Sequence, residues 1–168
     1  MDFYDAVALR RSVRGYKSDP LPDEALSRIK KAVLAAPSAC NRQPLRFIFI
    51  TSPEVRKAVC GCYSRPWLAE APMIVAACGD AGAAWHRFDG SSAVNIDLGI
   101  AMEHLVLAAA SEGIGSCWIC AFDVEAMSAA LGVKPPWQVL AITPLGYASA
   151  EAAAPGRKTP EEFFAEVR

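Results

Sequence analysis

The chain has 168 residues, 53% hydrophobic and 21% charged, with a formal net charge of −1. Its length suits one domain over residues 1–168, and its apolar surplus points to buried surface beyond a monomer core, as in a close homo-oligomer. A near-neutral balance speaks against nucleic acid as a partner, no apolar run reaches bilayer length, and Asp2, Asp5 and Arg10 interrupt any secretory leader. Six cysteines in such an unexported chain read as reduced thiols, so a cytoplasmic location is expected.

In chain order, residues 2–9 read as a short helix with Phe3, Ala6 and Val7 on one face. Residues 23–36 read as a second helix, because Leu26, Ile29 and Val33 recur at helical spacing between Pro22 and Pro37. A polar loop over 38–44 precedes a strand over 46–51, and Ser52-Pro53 opens a third helix with proline at its first position. The continuous apolar run 73–78 predicts a buried strand. Ser91 or Ser92 opens the longest helix, which runs to about Glu112 and is apolar almost all round, as befits a core or an interface. A strand over 116–120, a helix over 124–131 capped by Asp123, and a strand over 138–147 bent or ended near Pro144 and Gly146 follow. Thr159-Pro160-Glu161-Glu162 has the form of a capping box. Helices and strands mix without regular βαβ spacing, which predicts an α+β fold.

The chemistry concentrates in Arg10-Arg11-Ser12-Val13-Arg14. Crowded guanidinium groups repel one another unless an anion sits among them, and their planar forks together with a hydroxyl can hold a phosphate. Arg157-Lys158 forms a second basic pair near the other end. A phosphorylated cofactor would give both clusters a purpose; a solvated surface is the competing reading.

Other motifs fall short. Gly113-Ile114-Gly115 follows a helix and precedes a strand, the reverse of a dinucleotide fingerprint, and lacks the third glycine. Cys117 and Cys120 have dithiol spacing and Cys60 and Cys62 form a second close pair, but a redox dithiol normally opens a helix. In a strand, Cys117 and Cys120 would point to opposite faces, and they read as small hydrophobes. No metal site is expected: two histidines are too few, and the cysteine spacing matches zinc poorly. His104 reads as a hydrogen-bonded core histidine.

Taken together, the residues resemble the FMN-dependent nitroreductases. Arg10 to Arg14 is similar to that family's N-terminal motif, and Pro37-Ser38-Ala39-Cys40-Asn41-Arg42-Gln43-Pro44 resembles its Pro-Ser-x-x-Asn-x-Gln-Pro loop. Ala71-Pro72-Met73-Ile74-Val75, Gly113-Ile114-Gly115-Ser116-Cys117-Trp118-Ile119, Pro144-Leu145-Gly146-Tyr147 and Gly156-Arg157-Lys158 follow in the family's order, in its short form. The resemblance implies a mixed, mainly antiparallel sheet flanked by helices, and an intertwined homodimer with FMN at the interface.

The resemblance also implies roles. Arg10, Ser12, Arg157 and Lys158 would hold the phosphate, and Arg11 would share that task or contact the ribityl chain. Arg14 would lie near the pyrimidine edge, where a cation stabilises the charge that develops at N1 and O2 on reduction. Pro37, Ser38, Asn41 and Gln43 would reach the cofactor from the partner subunit. Backbone groups around Ile119 to Ala121 would approach N5, with Cys120 standing where the family often has glycine. Trp67, Trp85, His86 and Phe88 would line or cover the substrate site. The implied activity passes hydride from NAD(P)H through flavin N5 to a nitroaromatic, quinone or similar acceptor in a ping-pong cycle, with no catalytic side chain. A non-enzymatic flavin-binding protein and a flavin-fragmenting or dehalogenating member of the superfamily are the alternatives; reduction by a nicotinamide separates the first of these from a reductase.

Overall fold

A computed structural model describes residues 1–167 of the chain. Helix α1 (Phe3–Leu9) is capped by Asp2, whose carboxylate accepts from the Asp5 amide, and helix α2 is Asp23–Leu34. Strand β1 (Leu45–Ile50), helix α3 (Pro53–Gly61) and strand β2 (Met73–Asp80) follow. Then come α4 (Val94–Ser111), β3 (Gly115–Ser116), α5 (Val124–Leu131), β4 (Trp137–Gly146) and α6 (Pro160–Phe163). The strands form an antiparallel sheet in the order β1-β2-β4-β3. The sole parallel element among the described residues is an isolated bridge from Ser12 to Ser116.

Both faces of the sheet are covered, which explains the unbroken apolar run of β2. Ile74, Ala76 and Cys78 pack with Val59 of α3 and Met127 of α5. Met73 and Val75 pack with Ile29 of α2 and Leu105, Val106 and Ala109 of α4, while Ala77 meets Leu98 and Met102. Strand alternation sorts these two sets. A bulge adjusts β4 to the same two layers: Ala77 pairs with Ala141 but Cys78 with Val139. The extra residue, Leu140, reverses the alternation, so Val139 and Ile142 share one face while Ala141 and Leu145 share the other.

Two differences from the sequence expectations have identifiable causes. First, α4 starts at Val94, because Ser91 and Ser92 are spent in a hairpin in which Arg87 N donates to Ser91 O and Ala93 N to Trp85 O. Second, the strand expected over 116–120 shrinks to two residues plus an isolated bridge between Ile119 and Ile142, while β4 ends at Gly146 as expected. Continuing that register brings Cys117 opposite Pro144, which has no N–H to give to the Cys117 carbonyl. The Cys117 amide donates to Thr143 Oγ1 at 3.2 Å. Cys117 and Cys120 do face differently, one buried and one exposed.

Helix α4 is long and apolar enough, by length and composition, to cross a bilayer, contrary to the expectation that no run would be. Here it packs against α1, α2 and the sheet. His104 Nδ1 donates to the Ala32 carbonyl at 2.9 Å, tying α4 to α2. An uncovered apolar surface nevertheless remains: Phe3, Tyr4, Val7 and Leu9 on α1, Leu34 on α2, Ile96 on α4, and Phe163 and Phe164 near the C-terminus are all exposed.

Thr143 is fully buried, and its hydroxyl accepts from Cys117 N and donates to Pro144 O at 3.2 Å. Replacing it with valine keeps the shape and orphans the Cys117 amide. The expected cost is about 1–3 kcal/mol of unfolding free energy, measured by urea denaturation; an unchanged midpoint would contradict this.

Candidate functional site

The arginine segment is a strip of chain sewn between two elements. Val13 N donates to Ser116 O at 2.9 Å, Lys17 N to Tyr147 O at 2.8 Å and Ser149 N to Gly15 O at 3.0 Å. Val13 and Tyr16 are buried beneath it, and the Tyr16 hydroxyl donates to Val13 O at 2.7 Å. Two glycines allow this close approach. A Cβ on Gly115 would sit 2.9 Å from Val13 Cγ2, and one on Gly146 would sit 2.8 Å from Pro72 Cδ and 2.9 Å from Tyr16 Cδ1.

With its apolar residues turned in, the strip leaves Arg10 half-buried and Ser12 and Arg14 exposed. Neither Arg10 nor Arg14 has an ion-pair or side-chain hydrogen-bond partner among the described residues. Arg11 differs: its Nη1 donates to the Ala8 and Arg10 carbonyls, closing the C-terminal end of α1. The buried Cys117 thiol lies beneath the cluster. Burial pushes it up, while Arg14, a hydrogen bond with Ser12 and Arg10 pull it down. Arg10 and Arg11 line a cavity of about 330 Å³ with Ala110, Gly113, Gly115 and Ser116. The cluster therefore lies at the C-terminal end of α4.

The loop from Pro37 to Pro44 lies at the opposite end. It holds a short 3₁₀ turn, Ala39–Asn41, and three non-glycine residues with positive φ: Cys40 at 50°, Asn41 at 52° and Gln43 at 49°. Such residues cost of order 1 kcal/mol or more each and persist only where neighbours impose them. Ser38 Oγ accepts from Gln43 N at 2.8 Å, and Arg42 Nη1 reaches the Ala83 and Ala84 carbonyls at 3.4 and 3.3 Å. Asp97 Oδ1 accepts from Ala39 N at 2.8 Å. Gln43 Nε2 donates to Asn41 Oδ1 at 3.1 Å, leaving Asn41 Nδ2 and Gln43 Oε1 without partners among the described residues. Pro37, Ser38 and Gln43 line a small cavity of about 110 Å³ with Val33, Phe47 and Ala101.

Asp97, which sequence reasoning missed, anchors this loop at the first turn of α4. Ala110 lies beside the arginines. Thirteen residues of helix separate the two, about 20 Å at 1.5 Å per residue. The two sets of candidate residues are therefore apart within one chain. Arg157 and Lys158 are exposed in the C-terminal segment, without an ion-pair or hydrogen-bond partner among the described residues. Ile119 is buried in its bridge with Ile142, and Cys120 is exposed beside it.

The four aromatic candidates divide. Trp85, His86 and Phe88 belong to the hairpin before α4, where His86 bridges to Ser92. Trp85, Arg87 and Phe88 line an open cavity of about 490 Å³ together with Ala39 and Ile96. Trp67 is elsewhere, packed near Tyr63 and Tyr16 with ring centroids 5.7 and 6.4 Å away. Its contacts are those of a packing residue beneath the arginine strip.

Gly146→Ala is expected to force apart Pro72 and Tyr16, two rigid rings, and to cost about 1–3 kcal/mol of stability by urea unfolding. Gly61→Ala, where a new Cβ meets nothing within 4 Å, is the control that keeps the midpoint.

The family model described as Nitroreductase family matches residues 7–60 and 60–147 of this chain. NADH dehydrogenase of Thermus thermophilus is 28% identical, the match covering 96% of this chain and 94% of that protein. A crystal structure of a nitroreductase family protein from Clostridium difficile 630 is similar with a TM-score of 0.90 at 27% identity, covering 98% of each chain. The FMN-dependent nitroreductase of Clostridium difficile R20291 has a TM-score of 0.78 at 27% identity, covering 90% of each. On the strength of the family model and this agreement in fold, the chain belongs to the nitroreductase family.

Proposed function

We propose that this protein is an FMN-dependent oxidoreductase that passes hydride from NAD(P)H to a nitroaromatic, quinone or similar flat acceptor in alternating half-reactions. The observation that carries this reading is a set of cations without counter-ions: Arg10, Arg14, Arg157 and Lys158 have no acidic partner among the described residues. A phosphate answers that deficit through charge-assisted hydrogen bonds. The solved relative from Clostridium difficile R20291 is described as FMN-dependent, and the Thermus relative as an NADH dehydrogenase, which supports the same cofactor and donor class.

Bound FMN supplies the two-electron chemistry, with N5 as the hydride-carrying atom. This chain's part is to bind and to orient. Arg10 and Ser12, joined by Arg157 and Lys158, hold the phosphate. Arg11 holds α1 closed against the strip, in keeping with its two carbonyl contacts. Arg14 stabilises negative charge at the pyrimidine edge. The free Asn41 Nδ2 and Gln43 Oε1 offer one donor and one acceptor, the complement such an edge requires.

Asn41 and Gln43 cannot meet Arg14 within one chain if about 20 Å of α4 lies between their anchor points. A second copy, paired across α4 in the opposite direction, brings its Pro37 to Pro44 loop beside the first copy's arginines. The exposed Phe3, Tyr4, Val7, Leu34 and Ile96 supply an apolar surface for such a pairing. The same arrangement sets the Trp85-His86-Phe88 hairpin beside the cofactor as the acceptor's cover.

Arg10→Ala and Arg157→Ala are each expected to raise the FMN dissociation constant about tenfold or more, since a hydrogen bond to a charged group is worth about 1.5–3 kcal/mol. Flavin fluorescence measures this. The parent protein is expected to lose its flavin absorbance when titrated with NADH or NADPH without oxygen and to regain it with menadione. Parental affinity in both variants, or a flavin inert to both nicotinamides, would contradict the reading.

A further inference from the structure

Asp97 is a carboxylate with 1% of its surface exposed, set in a helix that is otherwise almost wholly apolar. The positive end of the helix dipole favours an acid in this first turn. That does not explain its contacts. Oδ1 accepts one backbone hydrogen bond, from Ala39 N at 2.8 Å, and Oδ2 is buried with no partner. A buried carboxylate oxygen without a partner is uncommon and calls for a role beyond packing.

Its single bond falls at a decisive place. Ala39 immediately precedes Cys40 and Asn41, the first two left-handed residues of the loop, and Gln43 is the third. The loop's other ties act away from the strained turn or are weaker: Asp80 N at the end of β2 donates to Pro44 O at 2.9 Å at the loop's last residue, Ser38 Oγ to Gln43 N is internal to the loop, and Arg42 makes long contacts from an exposed side chain. Asp97 alone among these ties holds the start of the strained turn with a buried side chain carried by a rigid element outside the loop.

We infer that Asp97 is a positioning residue for the cofactor: its carboxylate fixes the backbone at Ala39 so that the strained turn presents the Asn41 and Gln43 amides in one arrangement. This rests on the reading that those two side chains contact FMN. Asp97 touches neither the flavin nor the acceptor in this account. Without it the loop relaxes to unstrained backbone while the sheet and α4 keep their packing.

The test removes each end of the bond in turn. Asp97→Leu deletes the acceptor, Asp97→Asn keeps an acceptor oxygen, and Ala39→Pro deletes the donor. Ser38, at φ −133° and ψ 158°, already has the extended conformation that a following proline requires. The FMN dissociation constant, from flavin fluorescence at equilibrium, is expected to rise about tenfold in Asp97→Leu and in Ala39→Pro, and to stay within about threefold in Asp97→Asn. The double variant Asp97→Leu/Ala39→Pro is expected to be no worse than either single one, because both remove the same bond. A parent that binds FMN while Ala39→Pro binds it equally well overturns this inference alone, as do additive losses in the double variant. A parent that takes up no FMN overturns the cofactor reading and this inference with it.

Discussion

Arginines held near one another without carboxylates are unstable neighbours, and the fold around them is arranged to keep them so. The Arg10 to Arg14 strip is fixed through its backbone, by bonds to Ser116 and through Gly15 to Ser149, and through its apolar side chains, Val13 and Tyr16. None of those ties uses a guanidinium group of Arg10 or Arg14. Both charges remain without a partner among the described residues, and an anion from outside the chain would relieve repulsion between them.

The sheet edge serves this arrangement. Pro144 denies β3 a ladder hydrogen bond to the Cys117 carbonyl, the chain from Cys117 to Ile119 leaves the regular strand, and Thr143 accepts from the Cys117 amide. Gly115 and Gly146 keep the floor low enough for Val13 and Tyr16 to seat. The long helix α4 then sets the spacing: arginines near Ala110 at one end, the Ala39 loop anchored by Asp97 at the other. A site that needs both ends needs two copies of the helix, running in opposite directions.

What was legible in the sequence was local. Ser52-Pro53, Asp123 and the Thr159 capping box each announce a helix start through neighbours three residues away, and all three are formed. The unbroken apolar run of β2 was legible because both its faces are covered. The early end of β3 was not, because its cause lies in Pro144, far along the chain, and register between strands is not written in either strand alone. The start of α4 was missed because Ser91 and Ser92, good caps in isolation, are claimed by a hairpin closed through backbone bonds.

The candidate site was legible to the same degree. The arginine cluster shows itself by charge crowding, and the Pro37 to Pro44 loop only by family resemblance. Asp97 went unread although its signal was present: an acid in the first turn of an apolar helix. Trp67 was grouped with Trp85, His86 and Phe88 by family resemblance, and tertiary packing separates them. The most direct measurement of a site shared between copies uses a mixed dimer of an Arg10→Ala chain and an Asn41→Ala/Gln43→Ala chain. If each site draws its arginines from one copy and its amides from the other, one site in that dimer is intact, and FMN binds at one per dimer with the parental dissociation constant. If each site lies within a single chain, both sites are damaged and no parental-affinity site is found.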